Sequence, residues 1–366
     1  MPLRNLQIIN NKSQLTAFIN GIGLISPQHT ADPGVFLPDI VEYTTDFLQA
    51  IDPKYKEFIN PIAARRMSRL IKMGITSAKM ALSDAGCQMP DAIITGTGLG
   101  SVEDTEKILS GMNAGEQLMN PTPFIQSTYN TISSQIAITL KCHNYNSTYV
   151  HRSFSFESAL QDALIQFEEH IAEYALVGGI DEMTSNHLQI TRRAGHWKMQ
   201  PVNNLQLLTD KTPGALAGEG AAYFLLGDRH ASSTYATLND VKTLYNLNKA
   251  TDQEGAINTF LADNDLTTDQ LDAVILGYNG DVLFDEIYDR LGSGIFQQKQ
   301  QLWYKHLCGE YYTSTGFALW LAANVLKHQL IPAAIKLNNH PSRQLQHILI
   351  YNQYRNTNHS LFLLSR

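Results

Sequence analysis

The chain has no apolar run approaching the ~18 residues needed to span a bilayer, no CxxC pair, no HExxH segment and no low-complexity tract. Each absence removes a class of function. Without a long apolar run there is no candidate membrane span, and the opening MPLRNLQIINNKSQL lacks an apolar core long enough for a signal peptide, so a cytoplasmic location is expected. Cysteine is scarce: Cys87, Cys142 and Cys308 are an odd count without paired spacing, which argues against a disulfide framework or a zinc cluster and fits a reducing compartment. Twelve histidines are scattered with no pair at ligand spacing, so no metal is expected. Basic excess is also missing, and a net charge of −7 argues against a nucleic-acid binder, which needs a positive stripe to neutralise phosphates.

What is present is a globular composition. The 366 residues are 43% hydrophobic and 17% charged, enough for one large core or two fused halves. Apolar strand-like runs alternate with amphipathic helical runs, the pattern of an α/β protein. AFINGIGLIS (17–26) reads as a strand, RRMSRLIKMGITSAKMALSDAG as a helix stopped by Gly86, and DAIITGTGLG as a buried strand running into a turn. A helix over 127–140, a strand over 147–150, a helix over 155–170 and strands at YALVGG and GEGAAYFLLGD follow. The order then repeats, with a strand in LDAVILGYNG, helices over 284–291 and in STGFALWLAANVLKHQL, and closing strands at HILIYNQ and SLFLLS. Two similar halves are expected, 1–228 and 229–366, with the division near Asp228.

Some local features invite functional readings. GTGLG (96–100) follows a strand as a phosphate-cradling loop would, but its glycines alternate without GxGxxG spacing, and it reads as a tight turn. Asp181 and Glu182 are adjacent on an extended segment, so their side chains point to opposite faces and a structural role is expected. Arg65, Arg66, Arg69 and Lys72 recur at helical spacing, either as one solvated face or as a basic patch for an acidic partner.

Taken in order, FINGIGLIS, RRMSRLIKMG, ITGTGLGSVED, NPTPFIQSTYNTISSQIA, SFSFESALQDAL, ALVGGIDEM, LAGEGAAYFLL, KHLCGEYYTSTG and NTNHSLFL resemble the β-ketoacyl synthases of the thiolase superfamily over essentially the whole chain. Lys305, Gly309 and Gly316 fit the family's KxxxGxxxxxxG. The resemblance implies a five-layered αβαβα fold of two pseudo-equivalent halves, an obligate dimer and no cofactor. In active members a cysteine at a buried helix N-terminus carries the acyl chain, and two histidines stabilise the enolate formed by decarboxylation of a malonyl thioester.

This sequence departs from that pattern at each catalytic position. Counting back from Gly178 and Gly179, the cysteine position falls on Ser153, or on Ser155 if the register slips. The segment of the first histidine reads LGYNGDVLFDEIYD and contains none, and the second histidine position is Glu310. A carboxylate there repels an enolate, and pairing of Lys305 with Glu310 as a buried structural ion pair is expected. The family's gate, GFGGTN, reads QYRNTN over 353–358, losing its glycines. Cys308, two residues before Glu310, takes a position that is usually apolar and reads as a buried structural thiol.

Relatives without the cysteine resemble chain-length-factor subunits, which pair with a competent ketosynthase. The expectation is therefore a non-condensing partner in a polyketide, polyene or fatty-acid pathway, forming a heterodimer with a cysteine-bearing ketosynthase or else a homodimer. Acyl carrier protein is the expected acidic partner, with Arg65, Arg66 and Arg69 as docking residues. Phe154 and Phe156 are expected to fill the vestigial pocket. Two alternatives remain: an acyltransferase, decarboxylase or condensing enzyme using Ser153 with Glu310, and a non-catalytic acyl or carrier-protein binding homodimer.

Overall fold

The computed structural model describes residues 16–31, 36–115, 121–247, 250–340 and 344–366. The opening segment MPLRNLQIINNKSQL, expected not to be a signal peptide, lies outside them. Ten strands form one sheet, numbered in chain order: β1 (Ala17–Ile25), β2 (Ala92–Gly96), β3 (Tyr145–Tyr149), β4 (Tyr174–Asp181), β5 (Gly220–Gly227), β6 (Ala236–Tyr245), β7 (Ala273–Leu276), β8 (Gln300–Trp303), β9 (His347–Tyr354) and β10 (Asn358–Ser365). Their spatial order is β8-β7-β9-β10-β6-β1-β5-β4-β2-β3.

That order contains the same unit twice. In the first five strands β2 runs parallel to β3 and β4, β4 runs antiparallel to β5, and β5 antiparallel to β1. In the second five, β7 is parallel to β8 and β9, β9 antiparallel to β10, and β10 antiparallel to β6. The units join where β1 meets β6 antiparallel, with Ala17 opposite Leu238 and Ile19 opposite Ala236. The division expected near Asp228 falls in the connection from β5 to β6.

Side-chain alternation along the strands separates three cores, because successive strand residues face opposite sides of a sheet. In the first unit Ile93, Leu176, Tyr223 and Leu225 pack on an outer layer containing α1 (Arg69–Ala85) and α2 (Thr131–Leu140). Their neighbours Ala92, Ile94, Ala175, Val177, Phe224 and Leu226 face a central layer made by α3 (Ser155–Glu168) and α6 (Thr315–His328). In the second unit Ala273, Ile275, Ile348 and Ile350 face that same central layer, while Val274, Leu276, Leu349 and Tyr351 face α4 (Ala250–Asp263) and α5 (Glu286–Ser293). The layers therefore run helix, sheet, helix, sheet, helix, the αβαβα arrangement expected from the resemblance.

The central helices show why they are central. In α3 the residues Phe156, Ala159, Leu160, Ala163, Leu164 and Phe167 recur at three and four, and all are buried. In α6 every residue from Thr315 to Leu326 is buried, as an all-round apolar helix between two sheets must be. The outer helix α1 keeps one apolar face and ends at Gly86, whose left-handed φ of 66° lets its N–H reach the Leu82 and Ser83 carbonyls.

Several elements were not visible in the pattern. β6 carries polar residues at half of its positions, and the helix Val102–Asn113 buries only Asp104, so neither shows an apolar period. The expected helix over 127–140 starts later, at Thr131 with Asn130 as its cap, and a separate short helix, Pro121–Gln126, precedes it. The basic residues are divided too. Helix α1 begins at Arg69, while Arg65 and Arg66 lie on exposed backbone before it.

Burial in the second unit produces one titration that reports on the fold. His306 is fully buried, its ring stacked 3.7 Å from that of Trp303 with Nε2 facing the Ala334 carbonyl at 3.0 Å. Desolvation of the charged form pushes its pKa down to about 3. The unfolded chain takes up this proton below the ordinary value and the folded protein does not, so the stabilisation is complete above about pH 6.5 and declines as pH falls toward 3. Urea midpoints measured from pH 7 to 5 are expected to fall more steeply for the wild type than for His306→Phe. The difference should reach about 2 kcal/mol at pH 5. Parallel curves would show that the imidazole is not desolvated.

Candidate active site

The segments that carry the family's catalytic groups converge at the buried N-terminal end of α3. A single turn, Lys305–Cys308, precedes Gly309 and Glu310. Glu310 is held at the backbone before its side chain is considered: its N–H donates to the Leu216 carbonyl at 2.8 Å, and its own carbonyl accepts from Gly218 N at 3.0 Å. This pairing brings GEGA against KHLCGE so closely that a Cβ on Gly218 would stand 2.1 Å from the Cys308 carbonyl oxygen. Gly309, at φ 75°, supplies the turn.

The Glu310 side chain is fully engaged. Oε2 receives the Lys305 ammonium at 2.6 Å and the Asn279 amide at 2.8 Å, and Oε1 accepts from the Ser314 hydroxyl at 3.3 Å. Both members of the ion pair are buried. A second acid sits in the same layer: Glu157 on α3 accepts from Thr315 at 3.0 Å, and burial raises its pKa to about 7 against the weaker opposing pull of its hydrogen bonds and Lys305. Asn279 was not identified from the sequence. Its signal is positional, since it lies just after β7, in the segment where relatives carry their first histidine, and it points at Glu310, the position of the second.

Ser153 lies in a buried 3-10 turn before α3, and its hydroxyl accepts from Asn358 Nδ2 at 2.9 Å. Ser155, the alternative register, donates to the Arg152 carbonyl and accepts from His151 N, which makes it part of the turn itself. Neither serine bonds Glu310, so the serine–carboxylate pair required by the enzymatic alternative is not formed. Cys308 is buried, donates to the Gly309 carbonyl at 3.2 Å, and has its pKa raised well above normal by desolvation, the opposite of an activated thiol.

Other expected site residues are placed differently from one another. Arg69 turns inward, with Nη1 at 2.6 Å from Glu219 and Nε at 2.8 Å from Asp52, because the buried Glu219 carboxylate requires a cation. It therefore does not join Arg65 and Arg66 on one surface. Phe156 enters the central core beside Phe224, whereas Phe154 is half-buried and stacks on His151. The expectation that both fill one pocket is corrected accordingly. A narrow slot of about 20 Å3, the room of roughly one water, is lined instead by Leu99, Met183, Trp197, Tyr311, Tyr312 and Tyr354, with Asp181 and Glu182 beside them. Tyr312 and Tyr354 pack with ring centroids 5.4 Å apart. Tyr354 was legible in principle, as it takes the aromatic position of the altered gate.

The turn reading of GTGLG holds: Asp181 accepts from Gly98 N at 2.7 Å and from Thr313 N at 2.9 Å, filling the space a phosphate would need. Glu182 bonds Glu103 N on the other side. Among the described residues no group of three or more His, Cys, Asp or Glu side chains could hold a metal, and no helix is long and apolar enough to cross a membrane.

The Lys305–Glu310 contact makes a specific prediction. Glu310→Gln leaves a buried ammonium without its counter-charge and is expected to lower unfolding free energy by about 3 kcal/mol. The double variant Lys305→Met/Glu310→Leu, which removes both charges, is expected to recover most of that loss in urea titrations. A double variant as unstable as the single one would show that the charges themselves, and not merely their mutual pairing, are required.

The sequence pattern of the β-ketoacyl synthase N-terminal domain matches residues 26–231. A solved structure described as the ishigamide ketosynthase/chain length factor superposes with a TM-score of 0.78 at 18% identity, covering 96% of this chain and 98% of that one. A β-ketoacyl synthase from Burkholderia phymatum STM815 gives 0.76 at 13% identity, covering 96% and 99%. A structure of a ketosynthase in complex with its chain length factor from Xenorhabdus doucetiae gives 0.74 at 13% identity, covering 95% and 97%. No curated protein sequence matches.

Proposed function

The chain belongs to the β-ketoacyl synthase family, and we propose that within it the chain is a non-condensing, chain-length-factor-like partner of a cysteine-bearing ketosynthase in polyketide or related acyl-chain synthesis. The observation that carries this reading is the state of the three catalytic positions. Ser153 is bonded to an amide rather than a base, Glu310 is locked to Lys305, and Asn279 is spent on Glu310. Condensation needs a nucleophile with a base or a lowered pKa, and donors aimed at an enolate oxygen. Here the donors are aimed at a carboxylate that belongs to the protein. The narrow slot beside Tyr312 and Tyr354 has room for roughly one water and cannot itself hold an acyl chain.

A partner is supported by the surface. β3 has β2 on one side and no strand on the other among the described residues, leaving a row of backbone donors and acceptors open. Phe124, Ile125, Tyr129, Ile138 and Tyr145, from this strand and the adjoining 120–140 segment, are all exposed. Three of them, Phe124, Ile125 and Tyr129, belong to the NPTPFIQSTYNTISSQIA segment, for which we propose a place at the dimer interface. Arg65 and Arg66, both exposed, remain the proposed contacts for acyl carrier protein.

The test is co-expression with a cysteine-bearing ketosynthase, followed by incubation with acyl and malonyl carrier-protein thioesters and intact-mass analysis. The expected result is a stable heterodimer whose acyl adduct resides on the partner, unchanged in Ser153→Ala. An adduct on this chain that disappears in Ser153→Ala would overturn the proposal in favour of an enzyme. A homodimer that ignores the ketosynthase would favour the binding-module alternative.

A further inference from the structure

In the second unit a cavity of about 520 Å3 opens between the 207–211 segment, the residues that follow β7 and the N-terminal end of α5. That volume lies within the roughly 300–1,000 Å3 of small-molecule sites and dwarfs the slot beside Tyr312. Leu207, Leu208, Val282 and Leu337 give the cavity an apolar lining, and Tyr278 lies among them. One residue separates it from the Lys305–Glu310 pair. Asn279 turns its side-chain amide to Glu310 and its backbone N–H to Asp285, which lines the cavity.

Asp285 is only 7% exposed, yet among the described residues it forms no ion pair, unlike the buried Glu219 and Glu310. It accepts from Asn279 N at 3.2 Å and from Gly280 N at 2.8 Å, which uses about half of a carboxylate's acceptor capacity. Burial pushes its pKa up to about 7 in spite of those two bonds. Glu286 and Asp289 also line the cavity and have no ion pair among the described residues, and the Tyr278 hydroxyl fixes Asp289 by donating to it at 2.9 Å. A fourth acid, Asp210, is already answered by the buried Lys198 ammonium at 3.2 Å. Against the other three stands Lys211, which leaves two negative charges in excess, and the α5 dipole offsets about half of one.

The excess charge does not suit a metal ion, since no group of three or more acidic, histidine or cysteine side chains among the described residues is placed to hold one. Asp285 and Asp289 stand one helical turn apart, so a ligand meeting both needs charge at two separated points. Its middle must suit the leucines. We propose that this cavity binds a linear aliphatic diamine, with its ammonium groups on Asp285, Glu286 and Asp289 and its methylenes against Leu208, Val282 and Leu337. Such a ligand supplies the cation that buried Asp285 lacks and covers apolar surface at the same time. The site needs no second chain and does not depend on the partner reading.

Calorimetric titration of the full chain with pentane-1,5-diamine tests the site, with pentane-1,5-diol and magnesium chloride at equal ionic strength as comparisons. Saturable binding is expected for the diamine and not for the diol or the metal. Glu286→Gln and Asp289→Asn, at exposed positions, are each expected to weaken it about tenfold, and Lys211→Met to tighten it about threefold. A gain in affinity cannot come from a damaged fold, so the lysine variant separates binding from structure. Absence of saturable diamine binding, equal affinity for the diol, displacement of the diamine by an equal concentration of magnesium, or unchanged affinity in both acidic variants would overturn the proposal. None of these results touches the heterodimer test.

Discussion

Water is excluded from the layer of helices between the two half-sheets, and every polar group placed there must find its partner inside the protein. That constraint governs α3 and α6, which are flanked by strands on both faces, and it governs what a catalytic site located among them can be. An active member of the family leaves some of these groups unsatisfied by the protein so that substrate can satisfy them. Here the protein itself satisfies many of them, although Glu157 Oε2 and Gln166 Oε1 on α3 have no hydrogen-bond partner among the described residues. Asn279 and Lys305 spend their donors on Glu310, Asn358 spends one on Ser153, and Thr315 spends one on Glu157.

The substitutions are therefore coupled rather than independent. With a histidine at position 310, Lys305 would lack the carboxylate that now compensates its burial. With Glu310 present, a second donor such as Asn279 is favourable, because one ammonium does not fill both carboxylate oxygens. Asn279, Lys305 and Glu310 thus form one bonded group, in which a change at one position alters what the others can bond. The altered gate follows the same logic at the surface, where the residues replacing mobile glycines include Arg355 and Asn356 in a fixed left-handed turn.

Lys305, Glu310 and Asn279 are committed to one another in the interior, whereas the edge of β3, unpaired among the described residues, and the exposed aromatic and aliphatic side chains near it remain available. A subunit that acts on a partner rather than on a substrate would be expected to keep its free bonding capacity at such surfaces.

The sequence by itself determined the element pattern of the central and outer layers, because apolar periodicity is a local property: α3 with its spacing from Phe156 to Phe167, α6 with its apolar run, and the strands around them. It also showed serine and glutamate at the positions where the family resemblance implies a cysteine and a histidine. It did not reveal β6 or the helix Val102–Asn113, whose few buried positions leave no period to read. Only the tertiary structure decided partnerships, since these join residues far apart in the chain: Asn279 with Glu310, Asn358 with Ser153, and Arg69 with Glu219 rather than with a surface patch. Residue type states what a side chain can bond, and burial together with distance decides what it does bond. The same distinction explains why the slot is lined by Tyr312 and Tyr354, and not by the phenylalanines beside Ser153.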